Sequence, residues 1–190
     1  VLNFTGPDND NFVFSTDSDQ SISVDSLTGV ATFSNLNLYE GVFLTDTFVR
    51  DTSERQRFIL TNEKIDTTTL KVEVTSGTVT ESYLKATDIT KIDSGTKVYF
   101  LEESEYGRPE VLFGDDVLGK ALLDGDVISV TYTTSSGPGA NGLTSFDFIG
   151  TVRDNNSNTI TTGITTTLVQ NPDGGAVQES TESIKFSAPK

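Results

Sequence analysis

Two short stretches with strict alternation decide the fold class, LKVEV at 70–74 and ISVTY at 128–132. Every second position in each stretch carries an apolar side chain, which is the period of a strand with one buried face. The run SISV at 21–24 alternates in the same way. Val, Ile, Thr and Tyr fill these runs, and their branched or bulky side chains suit a pleated surface. The pattern therefore predicts half-buried strands at all three places.

Turn-forming pairs separate the apolar runs along the chain, among them Thr28-Gly29, Ser76-Gly77, Asp124-Gly125 and Asn141-Gly142. Strands joined at such short intervals pair as antiparallel hairpins. We therefore predict a mainly β protein, built from antiparallel sheets in β-sandwich-like subdomains.

The last third of the chain has three predicted features. The run TTSSGPGANG at 133–142 consists of small and turn-forming residues, which predicts a linker or an exposed loop. Two further strands are predicted at 146–152 and 160–169, joined by a polar turn at 154–158. One short C-terminal helix is predicted at 180–186, with acids early, a lysine late and Pro189 as the stop.

The glycine-rich boundaries suggest three segments: an N-terminal β segment at 1–38, a β domain at 39–142, and a β segment at 143–190 that ends in the short helix. We hypothesise that 1–38 pairs with 143–190 and that 39–142 is inserted between them as a separate domain.

Composition disfavours many kinds of chemistry. The 190 residues include 13 basic and 28 acidic side chains, a net charge of −15, which disfavours binding to nucleic acids and to anionic membranes. There is no Cys and no His, so disulfides, thiolate metal sites and the commonest general base are excluded. We expect no catalytic residue, no cofactor and no metal.

The start of the chain lacks the features of a signal peptide, and no apolar run approaches the ~20 residues that cross a bilayer. Because the sequence begins at Val1 and contains no Met, we expect it to be an interior segment of a longer polypeptide.

The most tempting motif is GDDVLGKA at 114–121, which departs from the phosphate loop G-x-x-x-x-G-K-[ST] at one position. Ala121 lacks the hydroxyl that would bind Mg²⁺, and Asp115 and Asp116 would repel a polyphosphate. We therefore interpret the stretch as a turn between strands. Phe113 would end a strand, Gly114 would turn with φ > 0, the two aspartates would bond turn amides, and Val117 and Leu118 would return to the core before Gly119.

Three other sets of acidic residues fit their possible roles poorly. Asp17 and Asp19 occupy the first and third positions of a calcium loop, but the glycine and the glutamate that complete such a loop are absent, so cation binding here is left open. Adjacent Glu102 and Glu103 would point to opposite faces of a strand and could not act on one sugar as a pair. Asp124 and Asp126 form the third set. Sugar hydrolysis by any of these carboxylates is disfavoured, because the chain has no Trp to stack on a sugar ring.

Three blocks of sequence resemble one known family. They are YEGVF at 39–43 with QRFILTN at 56–62 and IDTTTLKV at 65–72; VYFLEE at 98–103 with EVLFGDDVLGK at 110–120 and GPGANG at 137–142; and ESTESIKFSAP at 179–189. Together they resemble the baseplate wedge proteins of T-even-like contractile-tailed phages, in the baseplate J-like group. The F-G-D-x-x-x-G-K stretch is the most diagnostic. Its residues and the later Asn-Gly pair form the structural motif of the chain: Phe113, Gly114, Asp115, Asp116, Gly119, Lys120, Asn141 and Gly142.

The resemblance implies a structural wedge subunit in the virion tail baseplate, present in the host cytoplasm during assembly. Its implied partners are copies of itself and other wedge proteins, joined in a ring around the tail hub that rearranges when the sheath contracts. It implies no catalytic residues. The alternative that the residues leave open is a β-sandwich adhesin or surface-layer domain of similar acidity, and a hydrolytic tail enzyme is a third.

Overall fold

The computed structural model describes residues 1–6, 10–53, 57–104 and 107–176. The chain is mainly β: of the described residues, 38% lie in strands and 4% in helical turns, which confirms the predicted fold class. In the described part the helical residues form two short 3₁₀ turns, Ile89–Lys91 and Gly137–Ala140, and no helix of seven or more residues. The helix predicted at 180–186 lies outside the described residues.

The described residues form thirteen strands, most of them short. They are β1 (Leu2–Thr5), β2 (Asn11–Ser15), β3 (Tyr39–Glu40), β4 (Leu44–Val49), β5 (Phe58–Ile59), β6 (Ile65–Ser76), β7 (Val79–Lys85), β8 (Val98–Glu103), β9 (Pro109–Phe113), β10 (Val127–Thr134), β11 (Phe146–Phe148), β12 (Val152–Arg153) and β13 (Thr159–Ile160).

The chain divides into two compact units. One, which we call the inserted unit, is the continuous stretch Phe43–Thr134. The other, the discontinuous unit, combines Val1–Val42 with the chain from Ser135 onward. These limits differ from the expected 39 and 142, because Tyr39–Glu40 forms β3 of the discontinuous unit and Ala140 is buried in that unit's core.

The inserted unit is one seven-stranded sheet with the order β4-β10-β6-β7-β8-β9-β5. Its neighbours pair antiparallel except β7 and β8, which are parallel. The sheet curls into a near-closed, barrel-like form, whereas the sequence predicted sandwich-like subdomains. Its interior holds one apolar cluster of buried residues: Phe58, Leu60, Leu70, Val72, Val74, Tyr83, Tyr99, Val111, Leu122, Ile128, Val130 and Tyr132.

The alternating stretches at 70–74 and 128–132 lie side by side in this core. Val72 pairs with Val130 and Val74 with Ile128 across β6 and β10, and all four are buried. Burying one such side chain contributes about 1.5–3 kcal/mol. Lys71 and Glu73, between them in sequence, face solvent. The strand predictions at 70–74 and 128–132 are therefore confirmed, together with their buried faces.

A polar seam draws the two edges of the curled sheet together. Asp46, on the edge strand β4, accepts hydrogen bonds from the backbone amide and the hydroxyl of Thr61, just after the other edge strand, at 2.8 and 2.9 Å. The Tyr132 hydroxyl also donates to Asp46, at 2.9 Å, and accepts from the Asn62 amide at 2.7 Å. Phe48 and Phe58 meet edge to face at 5.5 Å in the same seam. Polar and aromatic contacts thus take the place of a backbone ladder at the closure.

The discontinuous unit is a smaller sheet with the order β11-β1-β2-β3. Phe4 is its centre, with ring centroids 4.9 Å from Phe14 and 5.3 Å from Phe146. Leu2 pairs with Phe148, so the first strand of the chain hydrogen-bonds with a strand far along the sequence. The strands β12 and β13 form a separate two-stranded ribbon.

Three local predictions were wrong. Residues 21–24 alternate as a strand would but are exposed and irregular, because no strand of the described chain pairs with them. The strand expected at 160–169 exists only as Thr159–Ile160. The loop expected at 133–142 is partly core, since Thr133 ends β10 with 1% exposure and Ala140 is 3% exposed.

Candidate functional site

The structural motif is divided between the two units. Phe113, Gly114, Asp115, Asp116, Gly119 and Lys120 lie in the inserted unit, and Asn141 and Gly142 lie in the discontinuous unit. The structure therefore builds two local sites from it.

The first site is the turn that follows β9, and its two aspartates hold it closed. Asp115 accepts hydrogen bonds from the backbone amides of Val117 and Leu118, at 3.0 and 2.9 Å. These bonds, Leu118 first, hold the pKa of Asp115 below its usual range, because they stabilise the ionised carboxylate. Asp116 accepts from the Ala121 amide at 2.9 Å, and its own amide donates to the Gly119 carbonyl at 3.0 Å. Both side chains bond turn amides as the sequence predicted.

The glycines act differently from the prediction. The left-handed backbone angles fall on Asp116, with φ of 64°, and on Gly119, with φ of 86°, and not on Gly114. Gly114 is instead required by close approach, since a Cβ there would overlap the carbonyl group of Gly119. A sequence cannot distinguish these two reasons for a glycine.

The apolar residues of the turn were also predicted incorrectly in part. Leu118 is half-buried, but Val117 is 77% exposed. The amide of Val117 is held by Asp115 in the middle of the turn, so the side chain faces solvent.

Lys120 ties the end of the turn to a neighbouring strand. Its ammonium donates to Glu81 on β7 at 3.4 Å, and Lys97 donates to the same carboxylate at 2.6 Å. These partners, Lys97 first, lower the pKa of Glu81. The Gly119 and Lys120 amides donate to the carbonyls of Asp93 and Thr96, at 3.0 and 2.9 Å. The lysine that resembled a phosphate-loop lysine is thus engaged with a carboxylate, and no long helix follows the turn.

The second site pins the last described segment of the discontinuous unit. The Asn141 side chain donates to the Gly175 carbonyl at 2.8 Å and accepts from the Gly175 amide at 3.0 Å. The Gly142 amide donates to the Pro172 carbonyl at 2.8 Å, and Gly142 has a left-handed φ of 77°. The Asn-Gly pair therefore anchors residues 172–175.

The carboxylates that were considered for sugar chemistry either accept hydrogen bonds from nearby residues or face solvent. Asp124 accepts from the amide and hydroxyl of Thr52, at 2.9 and 3.1 Å. Asp126 is 5% exposed, accepts from the Leu123 amide at 2.8 Å and bonds the Ser76 hydroxyl. Glu102 and Glu103 are exposed on β8.

The first and third positions of the partial calcium loop, Asp17 and Asp19, lie in an exposed irregular segment. Across the residues that the structure describes, no three His, Cys, Asp or Glu side chains are grouped so as to hold a metal ion.

An open groove of about 400 Å³ lies where β6 separates from β7 and β8. Lys71, Glu73 and Lys85 are among its lining residues. Tyr99 also lines it, and its hydroxyl donates to the Leu70 carbonyl at 3.4 Å. This mixture of side chains is typical of a curved sheet surface, and we assign no ligand to it.

The feature that the sequence analysis missed is the connection between β2 and β3, which we call the long loop and define as residues 16–38. Ser15 and Tyr39 are register partners, so a short turn could join them. The chain instead makes a long excursion in which residues 17–37 are all exposed. Only its stretch 21–24 was interpreted in the sequence, as a half-buried strand. The signal against that interpretation was the absence of a second alternating run close by.

No family model matches the chain, and no curated protein matches it. In the described ranges, none of the helical segments has the length and apolar character needed to cross a bilayer.

Proposed function

We propose that this chain is a structural component of a contractile phage tail baseplate, a wedge subunit that acts through its surfaces and carries out no catalysis. In this proposal it joins copies of itself and other wedge proteins into a ring around the tail hub. It takes part in the rearrangement that triggers sheath contraction, and it resides in the virion after assembly in the host cytoplasm.

The observation that supports this proposal most is the use of charge in the 113–120 turn. This stretch carries the strongest family resemblance, and each of its charged side chains is engaged in holding the fold. Asp115 and Asp116 bond backbone amides, and Lys120 bonds Glu81. A stretch used in this way fits a rigid building block, whereas a catalytic motif would aim some of these groups at a substrate.

The exposed apolar side chains of the discontinuous unit also favour an assembly role. They include Ile22, Val24, Leu27, Val30, Phe33, Leu36, Ile149, Ile160, Ile164 and Val169. A protein partner that covers these side chains would remove their apolar surface from water, which favours association.

The test is co-purification of the full-length protein with its neighbouring tail proteins. We expect a stable complex that contains several copies of the chain. A full-length protein that purifies as a monomer and captures no tail protein would contradict the proposal, and binding to a cell surface instead would favour the adhesin alternative.

A further inference from the structure

The long loop is the most unusual feature of the chain. Both of its ends are fixed in the sheet, where Ser15 pairs with Tyr39, and Leu38 packs against the apolar core. Between these anchors six large apolar side chains face solvent: Ile22, Val24, Leu27, Val30, Phe33 and Leu36. Loops of this length without secondary structure are uncommon in compact domains and are usually functional.

The tip of the loop is ordered by its own hydrogen bonds. Asp25 accepts from the amides of Leu27 and Thr28, at 2.9 and 2.8 Å, and from the Thr28 hydroxyl at 3.0 Å. The Asp25 amide donates to the Val30 carbonyl at 2.9 Å. Leu27 stands at this tip with 95% of its surface exposed. A fixed turn that holds a leucine in water is preorganised for burial against a partner.

The two legs of the loop, residues 18–24 and 31–37, have backbone groups available for pairing. Neither leg makes a backbone-to-backbone hydrogen bond to any described residue. The first leg holds three serines with Ile22 and Val24, and the second holds Phe33 and Leu36. Unpaired backbone groups can hydrogen-bond with the free edge of a sheet in another molecule.

A second exposed segment of the same chain is the candidate partner for the loop. Residues 149–171 are almost entirely exposed and include the ribbon of β12 and β13, with which no other strand of the described residues pairs. A two-stranded ribbon is marginally stable in water and gains from further pairing. Ile149, Ile160, Ile164 and Val169 offer apolar surface there. Because both the loop and this segment are exposed in the single chain, neither one covers the other within it.

Charge disfavours a second long loop as the partner. The long loop carries Asp17, Asp19 and Asp25 and no basic residue, so its net charge is −3. Residues 149–171 carry only Arg153 and Asp154, which cancel. Two long loops placed together would repel each other, whereas the loop meets no net charge on 149–171.

We propose that the long loop docks on residues 149–171 of a second copy of this chain, with Leu27 as the buried anchor. The contact is head-to-tail, since it joins two different surfaces, and repeated contacts of this kind build a ring or a filament. This inference deepens the proposed function and rests on it for the ring, but the contact itself is tested independently.

The first experiment uses disulfide trapping, which is clean because the chain has no native Cys. Leu27→Cys protein is mixed with Ile164→Cys protein under mild oxidation. We expect a covalent dimer of the two different chains, in clear excess over the control mixture of Leu27→Cys with Val79→Cys, in which Val79 is an exposed residue of the inserted unit. No excess over the control would overturn the proposal, and so would a predominance of Leu27→Cys paired with itself.

The second experiment measures the mass of the 190-residue chain by sedimentation as concentration and salt are raised. We expect association beyond the 20.5 kDa monomer that strengthens with salt, because salt screens the repulsion between chains of charge −15. Leu27→Asp should raise the dissociation constant about tenfold or more, since the anchor would bury an unpaired charge. Val79→Asp, with the same charge change at a comparably exposed site, should have no such effect.

Thermal unfolding of each variant checks that the monomer is intact. A chain that stays at 20.5 kDa at every concentration and salt, or equal association of the wild type and Leu27→Asp, would overturn the proposal. If the chain associates as expected but the full-length protein captures no tail protein, then the contact stands and the proposed function fails.

Discussion

At position 114 any side chain would meet the backbone of Gly119 across the motif turn. We predict that Gly114→Ala destabilises the inserted unit by about 1–3 kcal/mol, because a backbone overlap can be relieved only by moving the turn. Denaturant unfolding measures the loss. Gly95→Ala is the matched control, since a Cβ there would find only the Asp93 carboxylate at 3.8 Å and no left-handed angle is required. Equal stability of the two variants would refute the close-approach explanation.

Acid should weaken the protein through its exposed turn carboxylates. Hydrogen bonds and nearby lysines lower the pKa of seven acids: Asp25, Asp51, Glu81, Asp88, Asp93, Asp115 and Asp154. A pKa lowered by folding stabilises the native state above the unfolded-state value, about 3.9 for Asp and 4.3 for Glu. That contribution is lost as the pH falls through the folded value. We therefore predict a thermal midpoint that is level near neutrality and falls below about pH 5.

Asp115→Asn is the specific check on this acid sensitivity. The amide oxygen can still accept from the Val117 and Leu118 amides, but the side chain no longer titrates. The variant should lose less stability than the wild type between neutral and acid pH. An unchanged pH profile would show that Asp115 contributes nothing to it.

The residue scale shows how far local chemistry can be predicted. The bonding of Asp115 and Asp116 to turn amides follows from what aspartate does in turns, and it was predicted. The role of Gly114 and the exposure of Val117 were not, because each depends on which backbone passes nearby. A sequence alone does not show which backbone segment lies near a given residue.

Closure of the curled sheet depends on one side chain of an edge strand. Asp46→Ala removes the acceptor of the Thr61 amide, the Thr61 hydroxyl and the Tyr132 hydroxyl. We predict a loss of about 1–2 kcal/mol, at the lower end of the range for charged hydrogen bonds because the seam is partly exposed. Hydrogen exchange at residues 60–62 should accelerate more than exchange in the paired β6 and β10.

Glu73→Ala, an exposed acid on β6, serves as the control for Asp46→Ala. It should change neither the stability nor the exchange at 60–62. Protection at 60–62 that survives Asp46→Ala would mean that the Phe48–Phe58 contact closes the sheet without the carboxylate.

At the scale of elements, alternation predicts a strand only where a partner exists. LKVEV at 70–74 and ISVTY at 128–132 became paired strands with a shared buried face. SISV at 21–24 has the same local pattern and remained unpaired, because the strand that would pair with it is absent from the described chain. The local residue pattern predicts which face of a strand is buried, but it does not predict which other strand pairs with it.

The whole molecule offers a test of its division. Leu44 and Tyr132 are register partners, so the inserted unit begins and ends at neighbouring strands. Its apolar cluster is also formed entirely by residues of Phe43–Thr134. We predict that this segment, expressed alone, folds cooperatively, with a β-type circular dichroism spectrum and one thermal transition.

The complementary variant joins Val42 to Ser135 through a short glycine linker. It should keep the sheet that contains β1 and β11, as judged by protection of the Phe4 and Phe146 amides. An isolated Phe43–Thr134 segment without a cooperative transition would contradict its independence.

At the scale of the whole molecule, a sequence can only suggest that one unit is inserted into another. Strand pairing is needed to establish it. Glycine-rich stretches marked its approximate ends, but the side on which β3 and Ala140 belong depends on long-range packing. The long loop could not be identified in advance for a related reason. An apolar residue looks the same in sequence whether it is covered by its own chain or by another.

The pairing of Leu2 with Phe148 has a consequence for biosynthesis. During translation β1 is synthesised long before its partner strand β11. The inserted unit, in contrast, is complete once Thr134 has emerged. A folded insertion holds its two ends together and thereby shortens the effective loop between β1 and β11, which lowers the closure cost by about 1 kcal/mol. Once folded, the inserted unit would then help the two separate segments of the discontinuous unit to pair. Variants that slow its folding should leave nascent chains with unpaired β1 and β2, which are prone to aggregation.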